Sequence, residues 1–114
     1  MENKKLNTTY DFELCDGTTV KLTLAFYYLY QLRSKNKGLY DRYNKIMQSA
    51  GGSFDILDMV TICYVAYLCA NIDKEDALSE EEFYMLCGDD IKAVSDAVSY
   101  LVNPKKRTAS EQRS

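Results

Sequence analysis

Asn71 to Glu82, reading Asn-Ile-Asp-Lys-Glu-Asp-Ala-Leu-Ser-Glu-Glu-Glu, carries the spacing in this chain that comes nearest to a metal site. Laid on a calcium-binding helix–loop–helix, the ligand positions fall on Asn71, Asp73, Glu75, the Ala77 carbonyl, Ser79 and Glu82, with Leu78 in the apolar slot. A large, hard cation needs that many oxygens. Three departures speak against it. Asn71 replaces the usual first aspartate, Glu75 is longer than the usual ligand at its position, and Asp76 stands where glycine permits the sharp turn. An acidic linker ending in a Ser79/Glu82 capping box explains the same residues. No metal or other cofactor is expected.

Other chemistry is thinly supplied. There is no histidine, which removes the commonest general base, the commonest zinc ligand and every Ser-His or Cys-His nucleophile pair. The acid pairs Asp55/Asp58 and Asp89/Asp90 stand at predicted helix starts, where capping and the helix dipole account for them. Gly51-Gly52 belongs to a helix break and builds no phosphate loop. Cys15, Cys63, Cys69 and Cys87 lack Cys-x-x-Cys spacing, and three of them lie among apolar neighbours, where free cysteine acts as a small hydrophobe. No enzyme is expected.

The elements that must position these residues follow from periodicity. From Met59 to Ala70 only Thr61 interrupts an apolar and aromatic run. A surface helix needs a polar face, so this one must be covered nearly all round, by the domain itself or by a partner. It is too short, and too acidic at Asp55, Asp58, Asp73, Glu75 and Asp76, to cross a bilayer. No membrane association is expected.

Residues 10–24 alternate as a β-hairpin, with Tyr10, Phe12 and Leu14 on one strand and Val20, Leu22 and Leu24 on the other. A two-residue turn would split the apolar sets between faces. A three-residue loop, Cys15-Asp16-Gly17 with Gly17 left-handed, pairs Phe12 with Val20 and Tyr10 with Leu22, and is preferred. Helices are predicted over 25–34, 38–49 and 54–70, then a short one opened by Ser79 and stopped at Gly88. A last one is capped by Asp89 or Asp90 and ended by Pro104. Ser53 is the expected cap of the third, with Asp55 in its first turn. The fold class is therefore α+β, mainly α: a flexible start over 1–9, one hairpin-plus-five-helices domain over 10–103, and a disordered basic tail over 104–114.

Composition fits one soluble domain, with 46% apolar and 27% charged residues in 114. The formal charge of -3 hides an asymmetry: Lys105, Lys106, Arg107 and Arg113 against Glu111 give the tail +3 and leave the body -6. An acidic body argues against nucleic acid as a partner, since phosphate contacts require clustered lysine and arginine. The Lys105-Lys106-Arg107 cluster reads as a solubilising end. The polar start from Met1 to Tyr10 lacks the apolar centre of a secretion signal, so a cytoplasmic protein is expected.

Tyrosine is in excess, ten residues with no tryptophan. On the 25–34 helix Ala25, Tyr28, Leu29 and Leu32 define one side, and Phe26, Tyr27 and Tyr30 point the other way. Either a second element covers that opposite side too, or it binds a partner, a use that suits tyrosine's large, rigid contact area. Tyr40 is a candidate of the same kind.

The order of these features resembles the tail assembly chaperones of long-tailed bacteriophages infecting Firmicutes. The residues that carry the likeness begin with the hairpin Tyr10-Asp-Phe-Glu-Leu14, Asp16-Gly17 and Val20-Lys-Leu-Thr-Leu24. Leu29-Tyr-Gln-Leu32, Asp55-Ile-Leu-Asp-Met-Val60 running into Tyr64-Val-Ala-Tyr-Leu68, the acidic linker, Glu82-Phe83 and Asn103-Pro-Lys-Lys-Arg107 follow. The likeness spans residues 10–107 and its motifs are structural. It implies a protein of the host bacterial cytoplasm, absent from the mature virion, that coats the tape measure protein and helps tail tube protein polymerise around it. It also implies that this is the short form of a frameshifted pair, acting beside a C-terminally extended form of itself, with homo-oligomers open to it. Phe26, Tyr27, Tyr30 and Tyr40, with part of the 54–70 helix, would hold client segments. A phage regulatory or anti-host protein acting by protein–protein binding is the competing class.

Overall fold

Side-chain alternation and one glycine set how the chain begins. In a computed structural model, which describes residues 9–49 and 54–102, β1 (Thr9–Glu13) pairs antiparallel with β2 (Thr19–Thr23). Tyr10 faces Leu22 and Phe12 faces Val20, the register of the three-residue loop. Leu14 closes that loop, its N–H donating to Thr18 O at 2.7 Å, and Gly17 takes φ +91°, a conformation side chains resist. The apolar face so formed buries Phe12, Leu14 and Leu22, while Asp11 and Lys21 pair across the solvent face at 2.6 Å.

Five helices follow: α1 (Phe26–Lys35), α2 (Lys37–Ser49), α3 (Ile56–Ala70), α4 (Glu80–Cys87) and α5 (Ile91–Val102). The expected α+β, mainly helical fold is what the chain adopts. Thr9 already belongs to β1, one residue earlier than the expected start of the domain. Apart from Thr9, the expected flexible start over 1–9 lies outside the described residues, as do the Gly51-Gly52 break, the Pro104 stop and the disordered tail at 104–114. The N-cap of α3 falls on Asp55, not on the expected Ser53.

One expectation needs correcting. Asp55 sits at the N-cap of α3 and not in its first turn: its backbone is extended and its carboxylate accepts from Asp58 N at 2.8 Å. An aspartate immediately before a helix satisfies a free N–H more directly than one a turn inside. Of the two aspartates offered for α5, Asp90 is the one that caps, accepting from Ala93 N at 3.1 Å. The Ser79/Glu82 capping box opens α4 as read.

The apolar run is the axis of the domain. α3 touches β2, α1, α2, α4 and α5, and every side chain from Val60 to Tyr67 is buried. Cover comes from the domain itself. Burying each aliphatic side chain there contributes about 1.5–3 kcal/mol before the entropy of ordering is charged against it. Thr61 is tolerated because its hydroxyl contacts Leu57 O at 3.0 Å and Tyr84 Oη at 2.7 Å. With one hydroxyl proton committed to the Leu57 carbonyl, Thr61 accepts the proton of Tyr84. Behind α3, Phe83 is fully buried among the rings of Phe12, Tyr64 and Tyr67.

Candidate functional site: an aromatic groove between two helices

Leu24 and Ala25 alone separate β2 from α1, so the hairpin dictates where α1 starts. Thr23 helps, its Oγ1 accepting from Ala25 N at 3.2 Å. Asn36 then does two jobs at the corner. Its N–H donates to Leu32 O at 2.7 Å, ending α1, and its side-chain oxygen accepts from Leu39 N at 3.2 Å, opening α2. Lys35 ties this corner to the loop after α3, donating to Ile72 O at 3.0 Å. With the corner held, Leu32, Leu39 and Tyr43 turn into the core.

The opposite side of α1 is left uncovered. Phe26 is 88% exposed, and Tyr27 and Tyr30 are each 61% exposed. Phe26, Leu29, Tyr30 and Arg33 from α1 face Tyr40, Tyr43, Asn44 and Met47 from α2 across a groove of about 360 Å³. The structure thus brings together Phe26, Tyr30 and Tyr40 of the four residues singled out by sequence. Tyr27 stands outside the groove: its hydroxyl accepts from Gln31 Nε2 at 3.0 Å, and its ring meets Tyr28 edge-on at 5.2 Å. Tyr28, expected on the covered stripe, is instead exposed.

Five lining residues were not singled out: Leu29, Arg33, Tyr43, Asn44 and Met47. The Arg33 guanidinium lies 5.8 Å from the centre of the Tyr40 ring, a cation–π distance that fixes one wall. Tyr43 forms the floor, and burial pushes its hydroxyl up to about 12, so it stays protonated and can donate. Tyr43 and Met47 share the apolar stripe of α2, which signals core, yet both line the groove. The walls offer ring faces, a flexible thioether, one guanidinium and one amide. That set suits the capture of apolar side chains with a few polar contacts.

The remaining part of the expected surface is mostly withdrawn. Of the 54–70 helix, the stretch from Val60 to Tyr67 is inside, and only the first turn, at Ile56 and Leu57, presents large apolar side chains to solvent.

The calcium-like loop is held by other bonds. Asn71 Nδ2 donates to Tyr67 O at 2.8 Å, and Asp73 lies 3.9 Å from Lys35. Ser79 and Glu82 exchange the two capping-box bonds at 3.2 and 2.9 Å. Glu75 and Asp76 are exposed. Among the described residues, no three His, Cys, Asp or Glu side chains gather around a common point where a metal could sit. Among those residues, too, no helix is long and apolar enough to cross a membrane.

No protein family, curated protein or solved structure was found to match this chain.

Proposed function

We propose that this chain is a tail assembly chaperone of a long-tailed phage. It shelters apolar stretches of the tape measure protein on the α1/α2 groove and presents them to tail tube subunits, without making or breaking a covalent bond. It acts in the host cytoplasm, beside a C-terminally extended form carrying the same groove, and leaves before the particle is complete.

The observation that carries this reading is the uncovered side of α1. The domain already has an apolar core around α3, yet Phe26, Tyr27 and Tyr30 stand in water on one short helix. Showing three large rings to solvent gains a lone domain nothing, whereas such a patch is what a partner site needs. A helical client laid in a groove requires only apolar walls and a few aromatic anchors. The acidic body opposes self-aggregation while the groove is empty. The order of sequence features along 10–107 points to the family.

Co-expression with the tape measure protein encoded beside this chain tests the proposal. The expected result is a soluble complex that co-purifies. An insoluble tape measure protein, or a soluble one that passes through without this chain, would remove the assignment.

A further inference from the structure

We infer that the groove between the first turn of α3 and the first turn of α5 is a second docking site, built for an apolar segment flanked by lysine or arginine. It lies on different elements from the α1/α2 groove and does not depend on the reading given to that one.

Its apolar part is formed by Ile56, Leu57, Val60, Tyr84, Ile91 and Val94, around a volume of about 260 Å³. Val60 and Val94 are buried and make the floor. Tyr84 is held with its hydroxyl on Thr61 at 2.7 Å, so its ring stays in place as a wall. Leu57 and Ile91 stand at the lips, 62% and 61% exposed. A tyrosine at the surface can spend its hydroxyl on water, but leucine and isoleucine have no polar end to account for such exposure.

The rim says what would cover them. Asp89 and Asp90 line the groove, and Asp55 and Asp58 bracket Ile56 and Leu57 along the chain. Among the described residues none of these four carboxylates has a lysine or arginine partner, although five ion pairs form elsewhere. Lys92, the cation nearest in sequence, is committed to Asp96 at 3.1 Å. Asp55 and Asp90 each use one oxygen to cap a helix, which leaves the second oxygen of each for a partner. An apolar patch edged by unpaired carboxylates attracts a basic amphipathic segment and repels an acidic one.

Fluorescence anisotropy of the full chain with two labelled peptides tests the inference. Both peptides are alanine-based helices with leucines along one face; one carries lysines at its ends and the other glutamates. The lysine peptide should bind about tenfold or more tighter than the glutamate one, and weaken as salt is raised. Leu57→Asp and Ile91→Asp should each abolish binding, and Asp89→Asn should weaken it. Met85→Ala, at an exposed position of α4 outside both grooves, should leave it unchanged. Circular dichroism melts confirm that each variant is folded, which exposure at Leu57 and Ile91 favours. Several results would overturn the inference: equal affinity for the two peptides, no binding of the lysine peptide at about millimolar concentration, or binding that survives both aspartate substitutions. Sedimentation showing a dimer that Leu57→Asp dissolves would also do so, by making a second copy the occupant.

Discussion

Arg42 on α2 holds Glu80 at the head of α4 with both guanidinium nitrogens, Nη1 to Oε1 at 3.1 Å and Nη2 to Oε2 at 2.7 Å. This two-pronged pair spans the domain surface outside the aromatic groove, linking the helix that forms one groove wall to the helix behind α3. The Arg42 hydrogen bonds hold the Glu80 carboxyl below the ordinary glutamate range. As pH falls, the unfolded chain therefore takes up that proton before the folded one. The contribution is complete above the ordinary glutamate value of about 4.3 and disappears as pH drops through the lowered folded value. Both side chains are substantially exposed, at 52% and 36%, so solvent screening limits the pair to about 0.5–1 kcal/mol. Glu80→Gln should lower unfolding free energy by that amount at neutral pH, and the two urea curves should converge below the glutamate range.

The backbone of Leu78 is held on both sides by tyrosines of α3. Tyr64 Oη donates to Leu78 O at 2.9 Å, and Leu78 N donates to Tyr67 Oη at 2.8 Å. These bonds fix the loop just before the capping box, and so the angle at which α4 leaves α3. Tyr67→Phe keeps the tilted ring contact with Phe83 but strands an N–H, at a cost of about 1–2 kcal/mol. Tyr64→Phe should cost about 1 kcal/mol, and the double variant less than the sum, because one freed loop relaxes for both. Denaturant melts of the three variants measure this.

Thiol reactivity should divide the cysteines cleanly. Cys63, Cys69 and Cys87 are buried, and burial pushes their thiols up to about 12, 12 and 11. The reactive species is the thiolate, which these three scarcely form at neutral pH. Cys15 is exposed on the hairpin loop. A chromogenic disulfide reagent at about pH 8 should release one equivalent quickly and the other three only on unfolding. Fast release of more than one would mean that the packing around α3 or the end of α4 opens readily.

The hairpin register was legible in the sequence because one face had to be wholly apolar, and only one loop length gave that with Gly17 where a left-handed residue is required. The capping box and the burial of α3 were legible for like reasons: each rests on a local rule or on a run with no polar face. The groove was only half legible. Helical spacing separated Phe26, Tyr27 and Tyr30 from Leu29 and Leu32, but could not say whether another helix would lie over them. That depends on the angle set by Asn36, a tertiary outcome. The second groove was not foreseen. Ile56 and Leu57 belong to one helix and Ile91 to another, and Asp89 and Asp90 read as ordinary caps until the fold set them beside these side chains.

Tyr27→Ala with Tyr30→Ala discriminates between aromatic residues kept for a partner and aromatic residues kept for folding. Both rings are mostly in water, and truncating exposed side chains away from core, caps and networks changes stability by about 0.5 kcal/mol or less. Tyr27 gives up only a hydrogen bond to Gln31 and an edge contact with Tyr28. The doubly substituted chain should therefore melt close to the parent while its yield of co-purified tape measure protein falls sharply. Leu32→Ala, on the buried side of the same helix, provides the contrast: it should cost about 2–5 kcal/mol. If the double substitution unfolds the chain as Leu32→Ala does, the outer rings are structural and the α1/α2 groove loses its assignment. If it stays folded and the client still binds, the client is held elsewhere, and the acid-rimmed groove at Leu57 and Ile91 becomes the surface to test against it.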